Sequence, residues 1–214
     1  MYDAIFRDVK AILSGCEYAT KNALLPFRTR SAHIWRVFLW ARRLMGDQTS
    51  DRRADEESLL TAALFHDTGY ALQPDGQKHA DGSAVLFSRY MKEKGIAFAN
   101  PDFIISLIRN HSAKSLMREK DTPIELILLM EADLLDETGA MTIAWDCMAE
   151  GAQTEQSFEG AYRRIEAFTR KQLAENPMVT ESARAIWADK QALIRRFMSH
   201  LAFDLGIDGY PPLS

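Results

Sequence analysis

The chain has 214 residues, 26 Lys and Arg against 30 Asp and Glu, a net charge of −4 and an apolar fraction of 47%. That length and composition suit one compact domain with a sizeable buried core. The mild acidity argues against a protein that coats nucleic acid, which needs a basic surface, so no long nucleic acid is expected as a partner.

The helical period dominates along the whole chain, and no run of alternating polar and apolar residues marks a strand. A first amphipathic helix is expected from about Tyr2 to Cys16. A second runs from about Pro26 to Met45, with Pro26 in its first turn and Gly46 as its C-terminal cap. A third covers about Arg52 to Phe65, with Leu59, Leu60, Ala63 and Leu64 on one stripe, and ends at His66-Asp67-Thr68-Gly69. A loop with Pro74, Asp75 and Gly76 follows. The fourth helix spans about Gln77 to Lys94 and stops at Gly95. Asn100-Pro101 opens a fifth as N-cap and first-turn proline, carrying Phe103, Ile104, Leu107 and Ile108. Thr122 to Glu125 has the spacing of a reciprocal capping box ahead of a helix from Pro123 to about Asp136 that is apolar on nearly every side. Another helix covers about Gly139 to Glu150. After Gly151 come two long charged amphipathic helices, Gln156–Glu175 and Val179 to about Leu205, separated by Asn176-Pro177, and an irregular tail from Gly209.

The expected fold is therefore all-α. Residues 1–214 form a single domain with a core over about 20–150, on which the C-terminal helices of about 156–205 pack as a hairpin or serve as an oligomer contact; a homodimer stays open. Cys16 and Cys147 lie far apart and in no Cys-x-x-Cys pair, which argues against a zinc finger and fits a reducing compartment. The N-terminus lacks a signal peptide's apolar stretch. The longest strongly apolar run, Leu126 to Met130, is far short of a membrane span. A soluble cytoplasmic protein with no membrane partner is expected.

The chain has five histidines, His33, His66, His79, His111 and His200. His66 is followed at once by Asp67 at the end of an apolar helix, a costly place for two polar groups unless something binds them. A metal ion compensates both, and imidazole nitrogen with carboxylate oxygen suits a divalent ion such as manganese, iron, cobalt, nickel or zinc. His33 lies mid-helix, flanked by apolar Ile34 and Val37, and Asp133 sits in an otherwise apolar helix. Together they are ligand types aimed at a helix-bundle interior. His200 lies away from every motif and reads as a surface or structural residue.

His33, His66-Asp67 and Asp133 in this order resemble the HD superfamily of metal-dependent phosphohydrolases. Arg30-x-x-His33-x-x-Arg36-Val37 resembles its first motif, and Ala62 to Tyr70 its signature. His79-Ala-Asp-Gly-Ser-Ala84 and Ile105-x-x-Ile108-x-x-His111 match further histidines of many members. Glu131 to Ala140, with Asp133, Asp136 and Gly139, is similar to a poorly characterised bacterial branch of hydrolases, and the likeness covers nearly the whole chain.

The resemblance implies an HD-domain helical bundle and hydrolysis of a phosphomonoester or phosphodiester by metal-activated water. The substrate is small, phosphorylated and nucleotide-like. His33, His66, Asp67 and Asp133 are the implied ligands, and magnesium joins the candidate metals. His79 and His111 either hold a second ion, with Asp67 bridging, or contact the substrate phosphate beside a single ion. One or two ions per chain are therefore expected. A glutamate three residues after the His-Asp pair assists some one-metal members; Tyr70 stands there, which favours a two-metal or metal-hydroxide mechanism. Asp67 and Asp136 are the catalytic candidates: Asp67 orients the nucleophile, and Asp136 orients a ligand, acts as acid/base or is a surface acid. Arg30, Arg36, Arg109, Lys114 and Arg118 lie near the ligands in sequence; Lys114, Arg36 and Arg109 are the expected phosphate binders, with Lys114 foremost. A non-catalytic nucleotide- or metal-binding sensor of the same fold is the alternative, and a purely structural bundle a third. An intact ligand set favours the enzyme.

Overall fold

The computed structural model describes residues 1–14, 29–46, 53–72, 78–171 and 174–207. Among them every regular element is helical and no strand occurs. They divide into two compact units, Met1–Asp136 and Glu137–Ser214.

In the first unit α1 (Tyr2–Leu13) buries Ile5, Val9 and Leu13, one residue per turn on one stripe. It ends before the expected Cys16, which lies outside the described residues. α2 (Arg30–Gly46) buries Ile34, Val37, Phe38, Ala41 and Leu44. Its expected start, Pro26, lies outside the described residues; the helix begins at Arg30 because Thr29 Oγ1 accepts from the Ala32 amide at 3.2 Å and caps it. α3 (Glu56–Phe65) begins later than expected for the same reason. Asp55 caps it, accepting from the Ser58 amide at 3.4 Å and the Ser58 hydroxyl at 2.7 Å, and Arg52 lies outside the described residues. From Ser58 to Phe65 every residue of α3 is buried, so this helix is the axis of the unit. It packs against α1, α2 and the later helices α4 (His79–Lys94), α5 (Pro101–Asn110) and α6 (Ile124–Leu135).

α4 ends at Gly95, whose φ of 64° is the left-handed cap the sequence predicts. The expected loop at 74–76 and helix start at Gln77 lie outside the described residues. Two local expectations fail because distant partners outcompete near ones. Asn100 makes no side-chain cap; its Nδ2 donates to Asp55 Oδ2 at 3.2 Å, although Pro101 does open α5. The capping box of Thr122 and Glu125 does not form. The Thr122 hydroxyl donates to Leu116 O at 2.6 Å, and Glu125 Oε1 accepts from the Asp55 amide at 2.7 Å, tying the start of α6 to that of α3.

Two short 3-10 turns, Thr68–Ala71 and Lys114–Arg118, were not legible in the periodicity. The first follows His66-Asp67 and docks on α4. Gly69 N donates to Ser83 Oγ at 2.8 Å, and that hydroxyl donates to His66 O at 2.6 Å. A Cβ on Gly69 would lie 1.9 Å from His79 O, so only glycine permits this approach.

The second unit holds α7 (Ala140–Gly151), which the sequence had grouped with the core, then α8 (Phe158–Arg164), a π-helical turn (Ile165–Arg170) and α9 (Glu181–Leu205). The single helix expected over Gln156–Glu175 starts at Phe158, where Ser157 accepts from Gly160, and widens at Ile165; residues 172–173 and the tail from Gly209 lie outside the described residues. Buried Asp146 of α7 accepts from Thr169 Oγ1 at 2.5 Å. Within this unit α8 with its extension packs on α9. No helix among the described residues is long and apolar enough to cross a membrane.

Candidate metal centre

Five helical elements deliver the polar residues of one locus: α2, the end of α3, the start of α4, the end of α5, and α6. His66 and Asp67 leave α3 almost wholly buried, at 0% and 4% exposure, among the apolar side chains that made them conspicuous. His33 Nε2 lies 3.4 Å from His66 Nε2, 3.5 Å from Asp67 Oδ2 and 3.2 Å from Asp133 Oδ1. His66 Nε2 lies 3.7 Å from Asp67 Oδ2 and 3.9 Å from Asp133 Oδ1. A second cluster shares Asp67. Its Oδ1 is 3.3 Å from His79 Nε2 and 3.4 Å from His111 Nε2, and those nitrogens are 3.2 Å apart. In each of the sets His33-His66-Asp67 and Asp67-His79-His111 the donor atoms fall within 4.8 Å of one another.

The far sides of the rings show what the near sides offer. His66 Nδ1 is 2.8 Å from Ala63 O, and His111 Nδ1 is 2.7 Å from Ile108 O; a carbonyl only accepts, so each Nδ1 carries the proton. His33 Nδ1 donates to Asp136 Oδ2 at 2.7 Å. All three rings therefore turn Nε2 inward, as a lone pair on His66 and His111 and, on His33, as the nitrogen whose proton an ion would displace. Lone pairs and carboxylates converging at these distances are favourable only around a cation, and the backbone or carboxylate partner behind each ring is the usual support of a metal-binding histidine. The donor set fits one or two divalent ions of the transition series.

The protein's own groups are strongly coupled. Burial pulls the His33 imidazole down, but hydrogen bonds to Asp133 and Asp136 and the charge of Asp67 win and push it up to about 10. Burial lowers His66 to about 4. Burial acts to raise Asp67, yet His66, His111 and Arg30 hold it well below the usual carboxylate range. Asp133 lies low for the same reason, held by His33 and Lys114 against the effect of burial.

The remaining sequence candidates take different places. Asp136 accepts from His33 and, at 2.7 and 3.0 Å, from Nε and Nη2 of Arg36, so this acid stands behind His33 and commits Arg36 there too. Arg109 lies on the exposed side of α5, 3.9 Å from Asp81. Lys114 does reach the clusters, with Nζ 2.6 Å from Asp133 Oδ2. His200 is exposed on α9, in the other unit. Ser112, which the sequence did not single out, and Arg30, named there only among the cations near the ligands, also belong to the locus. Ser112 Oγ is 3.1 Å from both His79 Nε2 and His111 Nε2, and its place beside His111 was the only hint in the sequence. Arg30 Nη1 is 2.6 Å from Asp67 Oδ2; it sits one turn before His33 on α2, which was the available signal.

The family model of the HD domain matches residues 30–138, from the start of α2 to just past Asp136, and so contains both clusters. No curated protein matches the chain. Among solved structures, Bacillus subtilis YpgQ in complex with ADP is 23% identical, with 98% of this chain and 96% of that one covered and a TM-score of 0.62. An HD-superfamily hydrolase from Bacillus thuringiensis is 18% identical, with 97% of both chains covered and a TM-score of 0.64. A predicted HD-superfamily hydrolase from an uncultured Thermotogales bacterium is 19% identical, with 94% and 92% covered and a TM-score of 0.61. These likenesses show a shared fold. The family match spans half the chain and includes every residue that converges here, so the chain belongs to the HD domain family.

Proposed function

We propose that the protein is a metal-dependent phosphohydrolase that cleaves a phosphate ester of a small, nucleotide-like substrate. One observation carries the reading: Asp67 presents Oδ2 to His33 and His66 and Oδ1 to His79 and His111, an arrangement suited to two neighbouring divalent ions. His33, His66, Asp67 and Asp133 would hold the first ion, and Asp67, His79 and His111 the second. Bound there, divalent ions supply Lewis acidity, which lowers the pKa of water toward neutrality and stabilises negative charge on phosphoryl oxygens.

The chain's own groups do the rest. Lys114, anchored on Asp133, offers a cation to the phosphoryl group of the substrate. Asp136, gripped by Arg36, keeps the His33 proton on Nδ1 and the lone pair on Nε2 inward. It is a positioning residue in this scheme, and Arg36 acts through it. The ADP complex of the related YpgQ fold supports the nucleotide half of the proposal.

The test has two arms. Metal analysis of protein purified without chelator should find one or two divalent ions per chain. A phosphatase and phosphodiesterase screen with added manganese should find turnover of a nucleotide-like ester. Bound metal without turnover of any ester would favour the non-catalytic sensor, and absence of bound metal would reject both.

A further inference from the structure

Arg30 forms a stack that joins the two clusters. Its guanidinium lies 3.9 Å over the centroid of the Tyr70 ring. The Tyr70 and His79 rings are stacked, with centroids 4.7 Å apart and planes at 23°. Its Nη1 meanwhile contacts Asp67 Oδ2, the oxygen that faces His33 and His66. One arginine thus touches the shared carboxylate of both clusters and, through Tyr70, a histidine of the second. Its side chain is 20% exposed against 6% for Asp67, so it stands on the solvent side of that carboxylate.

We propose that Arg30 binds the phosphoryl group of the substrate, with Tyr70 as the platform that fixes its orientation. The proposal rests on the phosphohydrolase reading above and deepens it. Three arguments support it. Arg36 is committed to Asp136 and Arg109 lies at exposed Asp81, whereas Arg30 is at the clusters. A guanidinium carries five N–H donors in a rigid fork that matches tetrahedral oxyanions, and Asp67 engages one end of it. Finally, a divalent cation held by Asp67 would bring like charges together with Arg30, and an oxyanion that meets both would relieve that repulsion. Arg30 and Lys114, each seated on a different carboxylate of the first cluster, then offer the anion two cationic contacts.

The probe is inorganic phosphate, titrated calorimetrically into the manganese-loaded full chain, with manganese content measured on the same sample. Arg30→Ala should weaken phosphate binding at least about tenfold at unchanged metal content, in line with loss of one charged hydrogen-bonding partner. Arg30→Lys, which keeps charge but lacks the fork and the stack, should fall between. Tyr70→Leu should lose less in the same direction, and Tyr70→Phe, which keeps the ring and loses only the hydroxyl's contact with Arg30, should lose least. If Arg30→Ala fails to fold, Arg30→Gln and Arg30→Lys carry the comparison. Wild-type phosphate affinity in the Arg30 variants, or loss of metal together with phosphate, overturns the proposal while leaving the phosphohydrolase reading intact. A wild-type protein that takes up manganese and no phosphate overturns the proposal as well, and one that takes up neither overturns both.

Discussion

Asp136 accepts a hydrogen bond from Nδ1 of His33 at 2.7 Å, and this contact decides which nitrogen of the ring faces His66, Asp67 and Asp133. Asp136→Asn keeps an acceptor but loses the charge that holds the proton on Nδ1. Metal affinity should fall by about 10–100-fold, as for other residues that orient a metal-binding histidine. Manganese titration of variant and wild type measures it. An Asp136→Asn protein with full metal affinity and collapsed kcat would instead make Asp136 an acid/base.

Asp67 contributes an oxygen to each cluster, so Asp67→Ala should lose bound metal and activity together. His200→Ala, on the exposed face of α9, should keep both. Elemental analysis beside a turnover assay checks the pair, and full metal content in Asp67→Ala would refute the ligand assignment.

Metal uptake should be steeply pH-dependent. His33 is pushed up to about 10, so around neutrality it carries a proton that an ion must displace, whereas His66, lowered to about 4, is already neutral. Apparent affinity should therefore rise about tenfold per pH unit from neutrality toward pH 9, one proton being released per ion. The same shift sets a sign for the metal-free protein. A raised histidine stabilises the fold fully below its ordinary value of 6.5, and that contribution is lost as pH rises through about 10. Calorimetry in buffers of different ionisation enthalpy counts the protons.

Gly69→Ala should damage the fold and the second cluster at once. The added methyl meets the His79 carbonyl at 1.9 Å and the Ser83 amide at 2.6 Å, backbone atoms that cannot step aside cheaply. A loss of about 1–3 kcal/mol or more is expected from overpacking of this kind. Denaturant unfolding measures the stability, and metal stoichiometry reports whether His79 has moved.

Much of this was legible in the sequence because the informative residues are ones that water would otherwise claim. His66 and Asp67 at the end of a helix buried from Ser58 onward, and Asp133 on apolar α6, declared themselves by their cost. Helix cores were legible for the complementary reason, that periodic apolar stripes have nowhere else to go. Ends and partners were harder. Glu125 reaches Asp55 across 70 residues of chain in place of its own helix start, and Arg30 reaches Asp67 across 37. No local pattern encodes such pairings, which is why the sequence put Arg36 and Arg109 ahead of Arg30, although Arg30 is the one that contacts Asp67. The 3-10 turns follow docking on neighbours more than periodicity, and the π-helical turn has no evident signature in the chain.

The two oxygens of Asp67 have a thermodynamic consequence. Because they serve different donor sets, occupancy on one side must change affinity on the other, and the two changes are equal by linkage. Titrations that treat the sides as independent would misfit systematically, and a substitution confined to His111 should be felt at His33 through a carboxylate that the variant leaves unaltered.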